Sequence, residues 1–288
     1  MSLVSLPSGG LLHVEGPQHA PNLLLLHGVG GGAWSWGPQR AAFSPAYRTF
    51  TWEARGHGEA TPVADAGLSD YYTDATEALE AVAAQTGEPA VVAGHSMGGL
   101  LAIALACDRK PMVRALYLVD PVYSDGNSDS YGHMPPNLGR VALWMCEPLL
   151  RSFARGDAFS ERLAHWFFAQ SFEDRERMEA AWAYQRRQVP IEYDRMLRES
   201  FTNPTGFALR DFAAEIDAPT CVVECYRAGG RPRFPSFVAK LRERLGDRFV
   251  EDAVRGGHYL QLDRPEEVNA SLGRFLELFA PTEAARAL

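Results

Sequence analysis

The chain has 288 residues, a formal net charge of -8 and 46% hydrophobic residues. That length and composition can bury a full core without disulfide or metal staples. The acidic balance, with no basic stripe, excludes a nucleic-acid footprint and argues against an anionic membrane as partner. Met1 to Gly10 holds no cationic region ahead of a long apolar core, so no signal peptide or membrane anchor is expected. A cytoplasmic enzyme acting on a small molecule is the expectation, with oligomeric state left open. The four cysteines are too scattered for a disulfide framework, and Cys221 and Cys225, spaced along one face of a predicted strand, have no matching Cys/His pair for zinc. All four read as packing residues.

In chain order, Leu3–Leu6 and Leu11–Glu15 flank Ser8-Gly9-Gly10 and predict a hairpin. Apolar runs predict strands near Leu23–His27, Thr49–Trp52, Ala90–Ala93, Ala115–Val119, Thr220–Glu224 and Arg248–Val254. Helical periodicity falls near Asp70–Gln85, Met97–Arg109, Pro235–Leu245 and Pro265–Phe279. Buried strands alternating with amphipathic helices imply a mostly parallel α/β sheet with helices on both faces. From about Ser124 to Phe212 no convincing strand appears, and this stretch reads as an inserted helical cap. The expected organisation is therefore a core of residues 1–123 and 213–288 and a cap of residues 124–212. The cap opens on a turn-rich segment, with Gly126–Gly132 as the expected hinge. Helices are expected near Leu138–Phe153, Ala158–Gln170, Glu173–Arg187 and Tyr193–Phe201. Most of their aromatic side chains read as glue within the cap and against the sheet, and together they favour a partly apolar pocket between cap and core.

The chemistry concentrates at Gly94-His95-Ser96-Met97-Gly98, between the apolar run Ala90–Ala93 and the helix that follows. A strand, a sharp turn and a helix around a serine form a nucleophile elbow, in which the hydroxyl stands clear of its own backbone at the strand end. Glycines on either side of Ser96 permit the strained turn.

With this elbow the chain resembles the α/β-hydrolase family, and three further segments carry the resemblance over nearly its whole length. Leu23-Leu24-Leu25-Leu26-His27-Gly28-Val29-Gly30 is similar to the family's strand and oxyanion loop. Thr49-Phe50-Thr51-Trp52-Glu53-Ala54-Arg55-Gly56-His57-Gly58 is similar to the next strand and its RGHG turn. Gly256-Gly257-His258-Tyr259-Leu260-Gln261-Leu262-Asp263-Arg264-Pro265 is similar to the histidine loop and the start of the last helix. The resemblance implies Ser96 as nucleophile, His258 as base, and the backbone N–H groups of Val29 and Met97 as the oxyanion hole. His27 and His95 stand in family-typical places and read as partners of backbone groups, and His57 as the pin of its turn. His13 and His19 lie far upstream. His133 and His165, on the cap, read as surface residues, with substrate contacts as the alternative. Gly28, Trp144, Trp166, Phe167 and Tyr259 are the expected pocket residues.

The third member of the triad departs from the family's commonest pattern. The loop after the seventh strand, Tyr226-Arg227-Ala228-Gly229-Gly230-Arg231-Pro232-Arg233, holds no carboxylate. An imidazole that becomes imidazolium still needs an anion to orient it. Asp120, at the end of the sixth strand, is the family-compatible substitute, with Glu224 the second choice and an Asp-Pro turn cap its plainer reading. Glu251 and Asp252 fall on an expected edge strand and read as solvated. Arg227, Arg231 and Arg233 read as a solvated loop, with recognition of a substrate anion as the sharper alternative.

The implied activity is hydrolysis of a carboxylic ester, lactone or thioester of medium size through an acyl-enzyme on Ser96, with no cofactor and no metal. A cofactor-free oxygenase using His258 and Asp120 as base, and a ligand receptor on the same fold, are the competing classes. The serine at the elbow disfavours aspartate-nucleophile chemistry.

Overall fold

The computed structural model describes residues 1–63, 66–122, 158–185, 210–226 and 235–282. Its strands are β1 (Ser2–Ser5), β2 (Leu11–Glu15), β3 (Asn22–Leu26), β4 (Arg48–Glu53), β5 (Ala90–His95), β6 (Val113–Val119), β7 (Thr220–Tyr226) and β8 (Phe249–Arg255). They form one sheet in the order β1-β2-β4-β3-β5-β6-β7-β8. The first two pairings are antiparallel and the rest parallel. Each predicted strand is present, most with one or two residues added or shifted at an end.

The two-residue period of a strand divides the core. On β3, Leu24 and Leu26 join a cluster with Val92, Leu116 and Val222, covered by α2 (Leu68–Thr86), α3 (Met97–Asp108) and α6 (Pro235–Leu245). Leu23 and Leu25 face the other way, with Val91, Tyr117 and Val223, under Trp36 and α8 (Pro265–Phe279). The central strands read as unbroken apolar runs because both faces are covered. Helix α3 is buried from Met97 to Cys107. It has no polar face and so sits wholly inside the protein. The edge strand β8 is half-exposed, and there Asp252 takes Arg274 at 3.1 Å. Several short helical pieces have no counterpart in the sequence reading, among them Ala33–Trp36, a 3₁₀ turn running into α1 (Gly37–Phe43), and the single turn α7 (Leu260–Asp263).

Within the expected cap, the described residues 158–185 form α4 (Ala158–Ala169) and α5 (Arg175–Gln185), at two of the predicted places. The expected hinge, the helices near 138–153 and 193–201, His133, Cys146 and the arginine loop 227–233 lie outside the described residues. Phe168, Phe172, Met178 and Ala181 close on Tyr259, with Trp34, Trp182 and Leu262 at the margin. Phe168 and Trp182 thus pack residues 158–185 against Tyr259, while Trp166 and Tyr184 are exposed. Cys107 and Cys221 are buried and Cys225 half-buried, all three free. Burial pushes the Cys107 thiol up to about 12, as an inert packing residue requires.

Candidate active site

Strand β5 ends at His95, and the chain turns into α3 through Ser96 with φ 53 and ψ -118. A non-glycine residue in that region is strained, and the strain is held by over-determination. The Ser96 carbonyl accepts from the N–H groups of Gly99 (3.0 Å), Leu100 (3.2 Å) and Val122 (3.1 Å), while its own N–H donates to Val119 (3.2 Å). The turn also needs Gly98, because a Cβ there would lie 2.3 Å from the Leu26 carbonyl oxygen. Strand β6 ends comparably at Asp120, which has φ 39 and donates its N–H to Val223 at 2.8 Å.

These two strand ends and the loop after β8 converge. The Ser96 hydroxyl lies 2.9 Å from His258 Nε2, and His258 Nδ1 is hydrogen-bonded to Asp120 Oδ2. An ionised carboxylate only accepts, so Nδ1 carries the proton and Nε2 offers its lone pair to the Ser96 hydroxyl. The Asp120 side chain is fully buried and that of His258 is 31% exposed. Asp120 is thus the carboxylate that meets the imidazole. Glu224, the second choice in the sequence, is buried on β7 beside Ala253.

Met97 follows Ser96 in the chain, and Val29 follows Gly28, whose backbone approaches Ser96. The Met97 N–H heads α3, where the first donors of a helix have no intrahelical acceptor. Gly28 lets the other backbone close in, since a Cβ on it would lie 2.9 Å from Ser96 Cβ. The Tyr259 hydroxyl donates to the Val29 carbonyl at 3.3 Å, tying the oxyanion loop to the histidine loop. Gly28 lies against Ser96 and Tyr259 against His258, and Tyr259 is also part of the aromatic core. Trp166 is 56% exposed, so it lacks the burial of a pocket wall. Trp144 and the Phe167 side chain lie outside what is described. His165 pairs with Glu179 at 3.2 Å on the surface.

His95, His57 and His27 are neutral struts. His95 Nε2–H donates to the carbonyl of His258 at 2.8 Å. Burial, then the neighbouring His258, hold its pKa down to about 3, so it does not compete for the catalytic proton. His57 accepts the Gly30 N–H (3.1 Å) and donates to Arg55 O (3.1 Å), pinning the RGHG turn to the oxyanion loop. Burial, with His27 beside it, takes its pKa to about 3 as well. His27 donates to Gly28 O (2.7 Å) and accepts from the Ala54 N–H (3.1 Å).

One correction is substantial. His13 is remote in sequence, yet it lies 3.3 Å from buried Glu53, whose two oxygens accept the N–H groups of Ala33 (3.1 Å) and Glu59 (3.0 Å). This carboxylate joins the hairpin, the end of the oxyanion loop and the RGHG turn. Burial would raise its pKa, but hydrogen bonds from His13, Glu59 and Ala33 outweigh that and hold it below the ordinary 4.5. A depressed native value means that the group stabilises the fold above about pH 4.5 and that this contribution disappears as pH falls through the native value. Glu53→Gln should therefore lower stability by about 1–3 kcal/mol at pH 7, where the amide leaves a buried N–H unpaired. The gap between wild type and variant, read from urea midpoints, should shrink steadily on acidification below pH 4.5. An unchanged gap would show that the Glu53 charge is not what is stabilising.

No helix among the described residues is long and apolar enough to cross a membrane, and no group of His, Cys, Asp and Glu among them is placed to hold a metal ion. Among known proteins, an N-formylmaleamate deformylase of Pseudomonas putida is 25% identical over 92% of this chain and 91% of its own length. An (E)-2-((N-methylformamido)methylene)succinate hydrolase of Acinetobacter baylyi is 36% identical, but the match spans only 35% of this chain and 38% of that protein. A thermophilic esterase of Thermogutta terrifontis superposes with a TM-score of 0.72 at 18% identity, covering 97% of this chain and 100% of that one. A family model described as the alpha/beta hydrolase family matches residues 23–271, and the chain belongs to that family.

Proposed function

We propose that the protein is a serine hydrolase that cleaves a carboxylic ester, lactone or thioester of medium size by way of an acyl-enzyme on Ser96. The carrying observation is the 2.9 Å contact between the Ser96 hydroxyl and His258 Nε2, with the far side of the ring bound to buried Asp120. In this reading the Ser96 oxygen attacks the acyl carbon while its proton passes to His258. Asp120 holds the ring's tautomer and balances the imidazolium. The backbone N–H groups of Val29 and Met97 receive the negative charge on the former carbonyl oxygen. His258 then returns the proton to the leaving oxygen or sulfur, and the acyl group stays on Ser96. Water, deprotonated by His258, attacks that ester. The acid is released and Ser96 recovers its proton.

Two further points support the assignment. The two relatives described above are named as a deformylase and a hydrolase. The aromatic cluster formed by Trp34, Phe168, Phe172, Trp182 and Tyr259 beside His258 suits a partly apolar substrate. Residues 124–212 act, on this proposal, as a helical cap over residues 1–123 and 213–288.

The test is a p-nitrophenyl ester series from acetate to octanoate, combined with labelling by diethyl p-nitrophenyl phosphate and peptide mass mapping. Turnover with an initial burst and a single phosphorylated peptide containing Ser96 is the expected result. No cleavage of any ester and no labelled serine would overturn the proposal, and oxygen consumption without cleavage would put an oxygenase in its place.

A further inference from the structure

The general base is held by more than its ring. The peptide groups around His258 are bound on both sides: the Gly257 N–H donates to Asp263 Oδ2 at 2.8 Å, and the His258 carbonyl accepts from His95 at 2.8 Å. Asp263 is fully buried. Its other acceptor sites are taken by the cap. Oδ1 accepts the N–H groups of Glu173 (3.0 Å) and Asp174 (2.8 Å), and Oδ2 lies 3.1 Å from the Glu173 N–H. Asp174 is itself the N-cap of α5, its carboxylate accepting the Arg177 N–H at 3.0 Å. One carboxylate thus joins the first turn of a cap helix to the peptide just before the base.

Gly257 shows how close this junction is. A Cβ there would lie 2.0 Å from the Ser171 carbonyl oxygen, which accepts the Tyr259 N–H at 3.2 Å. The nearest positive group to the Asp263 carboxylate is the Arg264 guanidinium, 3.9 Å away. The carboxylate is therefore satisfied mainly by backbone donors. Burying an anion among directed N–H groups fixes the position of every group that donates to it.

We propose that Asp263 is a positioning residue that seats His258 against Ser96 and makes that seating depend on the cap segment 171–174. The proposal rests on His258 being the base in the serine mechanism above. Its physical content lies in the two oxygens. In Asp263→Asn one end of the side chain becomes a donor, which cannot face an N–H. The amide oxygen goes to the side with two donors, Glu173 and Asp174, so the –NH₂ faces the Gly257 N–H. The cap tie survives and the tie to the base is lost. Asp263→Glu keeps two acceptors on a longer stem and recovers part of the function. Misplacement of a catalytic group by about 1 Å can cost about 100-fold in rate.

The experiment compares wild type, Ser96→Ala, Asp263→Asn, Asp263→Glu and Glu266→Gln on p-nitrophenyl acetate and octanoate, with thermal melts of each. Glu266 is the control. It pairs with Arg177 on the exposed rim of the same seam at 2.9 Å. Asp263→Asn should lower kcat about tenfold or more on both esters with KM within about twofold, because the lost interaction matters at the transition state. Asp263→Glu should regain part of that loss, and Glu266→Gln should match wild type. The positioning role is overturned if kcat is unchanged in Asp263→Asn, if KM rises as much as kcat falls, or if Glu266→Gln loses as much. If Asp263→Asn does not accumulate as folded protein, Asp263→Glu carries the test, since its kcat should then fall below wild type with KM held. An inactive wild type, or activity that survives in Ser96→Ala, would instead refute the serine mechanism.

Discussion

Replacing Ser96 by alanine should reduce ester turnover by about 10⁴- to 10⁶-fold while leaving the fold intact. The size follows from what is removed. Without the hydroxyl there is no acyl-enzyme, and the remaining acceleration comes only from substrate binding and the oxyanion donors. The fold should survive because alanine can occupy φ 53 at a cost close to that of serine, the turn being held by backbone hydrogen bonds to Gly99, Leu100, Val122 and Val119 rather than by the side chain. Circular dichroism and a melting curve verify the fold, and turnover of the butyrate ester verifies the loss. Residual activity above about 1% of wild type would mean that Ser96 is not the nucleophile.

Asp120→Asn should be nearly as damaging, lowering kcat about 10⁴-fold with little change in KM. The replacement is nearly isosteric, so the cost comes from protons rather than packing. An amide placed against His258 Nδ1 can donate where the carboxylate only accepted, and it then favours the tautomer with the proton on Nε2, the nitrogen that must receive the Ser96 proton. The amide also brings no charge to offset the imidazolium. Glu224→Gln is the paired measurement. Glu224 lies on β7 and Asp120 follows β6, so the two carboxylates are carried by neighbouring strands. If Asp120 is the acid, the Glu224 variant should keep kcat within about threefold. The reverse pattern would move the third triad role to β7.

How far the sequence could be read depended on the range of the signal. Strands β3, β5 and β6 are continuous apolar runs, and the elbow, the RGHG turn and the histidine loop are each contained in ten residues or fewer, so local pattern locates them. The contact of Asp120 with His258 was anticipated by a different route, through the lack of any carboxylate in the loop after β7 together with the resemblance to family members whose acid follows the sixth strand. The interactions that the sequence did not disclose are long-range pairings. His13 and Glu53 are 40 positions apart, and Asp263 and Glu173 are 90 apart. No spacing rule joins such residues, and a lone acid next to an arginine and a proline, as in Asp263-Arg264-Pro265, has the look of a helix start. The 3₁₀ turn at Ala33–Trp36 and α1 lie between glycines and a proline that carry a loop signal, and the burial of Ala33, Ser35, Trp36 and Gln39 is a tertiary contact that local pattern does not carry. In the cap, helical period located α4 and α5, but the burial of individual aromatics depends on tertiary contacts, and Trp166 is on the surface while Phe168, two residues on, is buried.

Helix α3 has no exposed side from Met97 to Cys107, and the elbow is its first turn. A segment enclosed on every side cannot open by itself, because any excursion that bares it also dismantles the two layers around it. Ser96 consequently shares the opening free energy of the whole core, unlike groups carried on a surface loop. A chain that loses its native state exposes this apolar segment to water, where it can meet the same segment of other chains before its own sheet re-forms. Heat inactivation should then follow an unfolding rate and aggregation, and less activity should return on cooling when the protein is heated at higher concentration.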